Sequence, residues 1–181
     1  MEEDKISNIR GINHIGMTVP NIEAAFKFLK DAFDAKYAYD GLTYDDEPRK
    51  GPEVERMLGL SKGSAIVKQR MIVIGNGPNI EMFEIESDDK REPLELEDNG
   101  YHHISLFVDD MDRAIQQAVD AGASPLSEKH DNSRYEDSEG SSSVYLKSPW
   151  HSLIELQSIP NGYYYPPDSE ADVFIPNKID E

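Results

Sequence analysis

The chain has 181 residues, with 36 acidic against 18 basic side chains, a formal charge of −18 and no cysteine. A surface this acidic repels phosphate backbones and anionic lipid, so nucleic acid and membrane are excluded as expected partners. The lack of cysteine excludes disulfides, thiolate ligands and a cysteine nucleophile; the polar start and the absence of a long apolar run point to a soluble cytoplasmic protein.

In chain order, residues 12–19 alternate and predict a strand. Ile15, Met17 and Val19 share one face, and His14, Gly16 and Thr18 the other. Asn21 is placed to cap a helix over 22–33, where Ile22, Ala25, Phe26, Leu29 and Phe33 recur at helical spacing. A tyrosine-rich strand over 36–44 follows, then a short helix over 52–60 with Pro52 in its first turn, and an alternating strand over 64–74. The turn Gly75-Asn76-Gly77-Pro78 leads into a strand over 79–86. Residues 87–99 are charged and poor in apolar side chains, and read as a linker.

The order then recurs. A strand over 101–108 precedes a helix over 111–121 stopped by Gly122, and a short strand over 123–127 precedes a polar loop. Residues 141–147 and 152–158 form a hairpin around Ser148-Pro149-Trp150-His151. The predicted fold class is α+β: two paired βαβββ modules, residues 11–87 and 100–158, forming a curved sheet cup around a metal site. A C-terminal extension over 159–181 holds Tyr163-Tyr164-Tyr165-Pro166-Pro167. Rings left in water forgo burial worth about 1.5–3 kcal/mol each, so this stretch is expected to pack on the body or on a second subunit.

The recurrence extends to individual residues. Aligning Asn13-His14-Ile15-Gly16 with His102-His103-Ile104-Ser105 sets Val19 on Val108 and Ala25 on Ala114; aligning Ile80-Glu81-Met82 with Ile154-Glu155-Leu156 sets Glu81 on Glu155. A lone strand histidine is ordinarily a satisfied polar residue. One His and one Glu at matching points of both halves point instead to a shared metal site with His14, Glu81, His103 and Glu155 as ligands. Two imidazole nitrogens and two carboxylates suit Zn, Ni, Co, Mn or Fe as a divalent ion, with positions left for water or substrate. The chemistry expected is that of an isomerase, epimerase or lyase acting on a small α-oxygenated carbonyl compound through a metal-stabilised enediolate or enolate. Glu81 and Glu155 would then carry the proton as well as the ion. Alternation aims His102 away from the cup and makes it structural; His130 and His151 lie in loops with no counterpart; Tyr145 and Lys147 share a strand face near the cup.

These stretches, with the Ser148-Pro149-Trp150-His151 turn, resemble the vicinal oxygen chelate superfamily over about residues 11–158. That superfamily includes glyoxalase I, methylmalonyl-CoA epimerase, extradiol dioxygenases and fosfomycin or bleomycin resistance proteins. The resemblance implies paired βαβββ modules curving round a divalent metal, with His14, Glu81, His103 and Glu155 at the ligand positions. The His, Glu, His, Glu order looks like glyoxalase I. Epimerases of this type often have glutamine where this chain has Glu81. An Fe(II)-dependent extradiol-type dioxygenase is the alternative, using His14, His103 and Glu155 as its triad, but Glu81 counts against it. A non-catalytic small-molecule-binding protein of the resistance type is a third reading. The implied partner is a small-molecule substrate, with a homodimer as the other admissible assembly and the cup closing within one chain or across two. His151 stands where the family has glycine, and histidine tolerates the positive φ such a turn needs.

Overall fold

The computed structural model describes residues 10–178. Its first helix, α1 (Ile22–Phe33), has the bounds the apolar spacing predicts. Asn21 stays extended, and its side chain accepts from the Ala24 amide at 2.8 Å, satisfying one of the unpaired donors of the first turn. Ile22, Ala25, Phe28, Leu29 and Ala32 form the buried stripe. Asp34 closes the helix in the left-handed region, its amide bonding back to the last turn. Helix α3 (Met111–Ala121) repeats the design: Asp110 accepts from the Arg113 amide at 3.0 Å, and Gly122 ends the helix at φ 113°.

The strands of the first half are β1 (His14–Thr18), β2 (Lys36–Leu42), β3 (Arg49–Lys50), β4 (Ala65–Val73) and β5 (Asn79–Glu86). They form one mixed sheet in the order β1-β5-β4-β2, with β3 added on β4. The brief β3 and the short helix α2 (Pro52–Leu58) fall in the polar stretch by which the first half exceeds the second. The second half has β6 (His103–Phe107), β7 (Ser124–Pro125), β8 (Ser142–Lys147) and β9 (Leu153–Ser158), in the order β6-β9-β8-β7. Both halves pair their first strand in parallel with their last and run the remaining pairs antiparallel. The α+β class and the doubled βαβββ pattern are therefore those expected from the repeat.

The two halves form separate sheets. Strands β1 and β6 are the end strands of their sheets and pair only with β5 and β9. The halves join through their other faces. Helix α1 packs on α3, and one apolar cluster runs through both, from Val19, Ile22, Leu29, Ile72 and Met82 to Val144, Leu146, Ile154 and Leu156. Trp150 meets Phe28 edge-on, with ring centroids 5.5 Å apart. Its place is set by the turn after β8, where His151 adopts φ 68°, the positive value expected.

On the helix side of the first sheet the core is not wholly apolar. Lys68 and Arg70 of β4 are 5% and 7% exposed. Arg70 clamps Asp40 (Nε–Oδ1 2.6 Å) and Glu23 (Nη1–Oε2 3.0 Å), and Lys68 reaches Glu23 at 2.9 Å while lying 4.1 Å over the Tyr44 ring. Glu84 accepts from the Ile22 amide at 2.8 Å and from Tyr44 at 2.7 Å, so it caps α1 from the sheet. Hydrogen bonds from Arg70 hold both the Asp40 and the Glu23 carboxyls below their ordinary range, with Lys68 contributing at Glu23.

The extension packs in part. Ile159 is buried, the Tyr163 hydroxyl donates to Gln157 Oε1 at 3.0 Å, and the Tyr164 amide donates to the Tyr135 carbonyl. Asn76 then donates to the Asn177 carbonyl at 3.0 Å, carrying the extension from the second half to the first. The Tyr164 and Tyr165 rings remain exposed on the single chain. The bridge to the first half is made by the Asn177 carbonyl, and the residues after Lys178 lie outside the described range.

Candidate metal centre

The parallel pairing of β1 with β5 sets Gly16 opposite Glu81, and that of β6 with β9 sets Ser105 opposite Glu155. Residues two apart on a strand share a face. His14 therefore lies on the face of Glu81, and His103 on that of Glu155, away from the helices. The side chains meet accordingly: His14 Nε2 is 3.3 Å from Glu81 Oε2, and His103 Nε2 is 3.6 Å from Glu155 Oε2. Ligand atoms bonded to one divalent ion at ~2.0–2.2 Å stand about 2.8–3.6 Å from each other, from octahedral to tetrahedral angles, so both spacings fall within reach of two ligands of one cation. The donor types, imidazole nitrogen and carboxylate oxygen, suit it as well.

Within the chain the four residues are brought together two by two. Among the described residues, no group of three or more His, Asp or Glu side chains gathers closely enough to hold an ion. The pairs come from separate sheets whose end strands, β1 and β6, face a common seam. Along that seam opens a cleft of ≈810 Å³ bordered by Gly16, Thr18, His102, His103, Trp150 and Leu94, roomy enough for a sugar-sized molecule. A smaller cavity of ≈270 Å³ lies farther along it, walled by Ile15, Ile104, Phe107 and the extension's Phe174 and Pro176.

Each carboxylate has a neighbour on its own face of the sheet, from the strand beside it. Gln69 of β4 donates to Glu81 Oε1, leaving Oε2 to His14, and Arg49 in turn donates to Gln69 at 3.2 Å. In the second half Tyr145 stands opposite Glu155 in the β8–β9 register and meets the His103 ring edge-on, with centroids 5.4 Å apart. Burial raises the Tyr145 hydroxyl above its ordinary value, and the Glu155 charge adds to that. Burial also lowers His103, assisted by His102 and opposed by Glu155; the neutral imidazole it favours is the form that binds metals. The signal for Tyr145 was its shared face with the site. For Gln69 no local signal exists, because its contact depends on the β4–β5 register.

His102 overturns the alternation argument. It stacks on His103, with centroids 4.8 Å apart, and the two Nδ1 atoms are 2.7 Å from each other. The strand starts only at His103, so no pleat directs the side chain before it. His130 and His151 are exposed and stand outside both pairs.

This doubled arrangement agrees with comparison to known proteins. Residues 13–138 match the family model of the glyoxalase/bleomycin resistance protein/dioxygenase superfamily. The chain belongs to this superfamily. Among its relatives is a 2-epi-5-epi-valiolone epimerase from an Actinomyces species, 28% identical over 169 residues, covering 91% of this chain and 88% of that one. A glyoxalase family protein from Bacillus cereus superposes with a TM-score of 0.65 at 15% identity, over 85% of this chain and 97% of its own. Fosfomycin resistance protein FosX from Listeria monocytogenes does so at 0.54 and 18% identity, over 83% and 93%. A FosX variant from that organism was solved with Mn(II) and 1S,2S-dihydroxypropylphosphonic acid, so the superfamily includes binders of a divalent ion and a small oxygenated ligand. None of the described helices is long and apolar enough to cross a membrane.

Proposed function

We propose that this superfamily member is a divalent-metal-dependent epimerase or isomerase of the glyoxalase-like type, acting on a small hydroxylated ketone. The observation that carries the proposal is the doubled His–Glu pair, with nitrogen–oxygen separations of 3.3 Å and 3.6 Å at matching repeat positions. The named activity of the Actinomyces relative supports epimerisation over the dioxygenase and lyase readings. His14, Glu81, His103 and Glu155 would hold the ion, drawn from the Zn, Ni, Co, Mn and Fe class. When bound, it supplies relief of the negative charge that builds on a carbonyl oxygen as the neighbouring C–H loses its proton. The complete set of four requires the two half-sites to share one cation, either across the β1–β6 seam or between two chains of a homodimer.

Inverting a stereocentre beside a carbonyl needs one group to take the α-proton and another to return a proton to the opposite face. Two carboxylates from two different sheets answer that need. Gln69 keeps one oxygen of Glu81 occupied and the other turned to the site, and Tyr145 stands opposite Glu155 across the β8–β9 pair. Among the described residues, the cleft that His103 borders has the size for a sugar-like ketone, with His14, Glu81 and Glu155 outside its lining.

The test is incubation of the metal-loaded protein with 2-epi-5-epi-valiolone in deuterium oxide, followed by proton NMR, beside elemental analysis of protein purified without chelator. The expected result is roughly one divalent ion per chain and enzyme-dependent loss of the α-proton signal. A metal-loaded protein that exchanges no α-proton in this or related hydroxyketones would end the epimerase reading. Oxygen uptake on a catechol by the iron form would transfer it to the dioxygenase class.

A further inference from the structure

The residue before each ligand histidine makes the same contact in both halves. Asn13 Oδ1 is 2.9 Å from His14 Nδ1, and His102 Nδ1 is 2.7 Å from His103 Nδ1. The repeat sets Asn13 on His102, so two chemically different side chains, at one repeat position, reach the same ring nitrogen of the next residue. An amide oxygen only accepts, so the His14 Nδ1 must carry the hydrogen. In the neutral ring, the form that binds metals, that leaves Nε2 as a bare lone pair, and Nε2 is the atom facing Glu81 Oε2 at 3.3 Å. A lone pair facing a carboxylate is unfavourable unless a cation stands between them. In the second half, His102 takes the place of the amide as acceptor when its own hydrogen is on Nε2.

The geometry points to Asn13 and His102 as paired positioning residues, each fixing its neighbouring histidine in the Nδ1–H tautomer so that Nε2 is presented to the cation. The inference rests on the metal reading above. It adds a role to two residues that the repeat alone left structural, and it explains how His102 departs from the strand's alternation: its ring is held against His103 rather than by the pleat. Such outer partners set ring orientation and tautomer, and their loss typically weakens metal binding roughly 10- to 100-fold.

The tautomers are read directly, without metal, from long-range proton–nitrogen-15 spectra of the imidazoles. The chain is uniformly labelled and held about 2 pH units above the ordinary imidazole pKa. The wild type should give Nδ1–H patterns for His14 and His103. Asn13→Ala should shift only His14 toward the Nε2–H form, and His102→Ala only His103. Asn13→Asp and His102→Asn, which keep an acceptor at the same place, should restore the wild-type pattern. Isothermal titration with Co(II) should then place the two alanine variants roughly 10- to 100-fold weaker than wild type and the two acceptor variants near it. Unchanged tautomers in folded alanine variants would overturn the positioning role even with metal binding intact. A wild type that takes up no Co(II), Zn(II) or Mn(II) would remove the metal reading itself, whatever the tautomers show, and with it the purpose given to these residues.

Discussion

The two halves put the same pair of side chains at the same repeat position and surround it differently. His14 and Glu81 are 41% and 20% exposed, whereas His103 and Glu155 are 23% and 14% exposed. The second pair lies beneath the stacked His102 ring and beside Tyr145, while Glu95 of the linker reaches Lys147 near it on the same face. The first pair sits next to a bare end strand in which Ile15 is itself exposed. On the helix side the contrast reverses. The β4–β5 register sets Arg70 against Met82, and the β8–β9 register sets Val144 against Leu156. Where the second half buries a valine, the first therefore buries a cation with its carboxylates. The repeat holds fixed the four atoms that face the site and lets the layer behind them be apolar in one half and ionic in the other.

Removing the proposed ligands tests whether the halves are equal partners. His14→Ala and His103→Ala should each abolish most bound metal by elemental analysis, and Glu81→Gln and Glu155→Gln should each lower kcat about 10²- to 10⁴-fold. If one half's pair proves dispensable in both assays, the site belongs to the other half alone. The buried ionic layer should be next in size. Asp40→Ala leaves Arg70 and Lys68 with Glu23 as their remaining carboxylate and is expected to cost about 1.5–3 kcal/mol in chemical denaturation at neutral pH. Because the folded Asp40 and Glu23 carboxyls lie below their unfolded values, their contribution is present above about pH 4 and lost as pH falls through the folded values. The gap between wild type and Asp40→Ala should accordingly narrow in acid, and a gap constant with pH would remove the network from the acid response.

The extension ties the halves together, so ending the chain after Ser158 should lower the melting temperature. A smaller change isolates one contact: Tyr163→Phe loses the bond to Gln157 and should cost about 1 kcal/mol. A truncated chain with native melting behaviour would mark the bridge from Asn177 to Asn76 as without energetic weight. Smallest of all, His151→Gly relieves a side chain held at φ 68° and should stabilise by about 0.5 kcal/mol, the left-handed penalty outweighing the entropy of the added glycine.

Much of this was legible in the chain. The bounds of α1 and α3, their Asn21 and Gly122 ends, the β5 strand and the positive φ at His151 depend on neighbours within a few residues, and local pattern predicts them. The correspondence of His14 with His103 and of Glu81 with Glu155 was legible because a repeat turns two distant positions into one comparison. The contact of Gln69 with Glu81 was not, since it is fixed by register between strands that sequence does not align. The Arg70 cluster was missed for a related reason: Lys68 and Arg70 look like solvent-facing alternation until α1 is laid over them.

By itself the sequence determined the doubled βαβββ plan and the residue types that face outward from each sheet, because strand parity and helical spacing are properties of the local backbone. Only the tertiary structure decided that the halves meet through α1, α3 and Trp150 rather than by joining β1 to β6. It alone divided the four candidate ligands into two pairs and turned His102 back onto His103. Those outcomes depend on which apolar faces find each other across the whole chain, and no local periodicity carries that information.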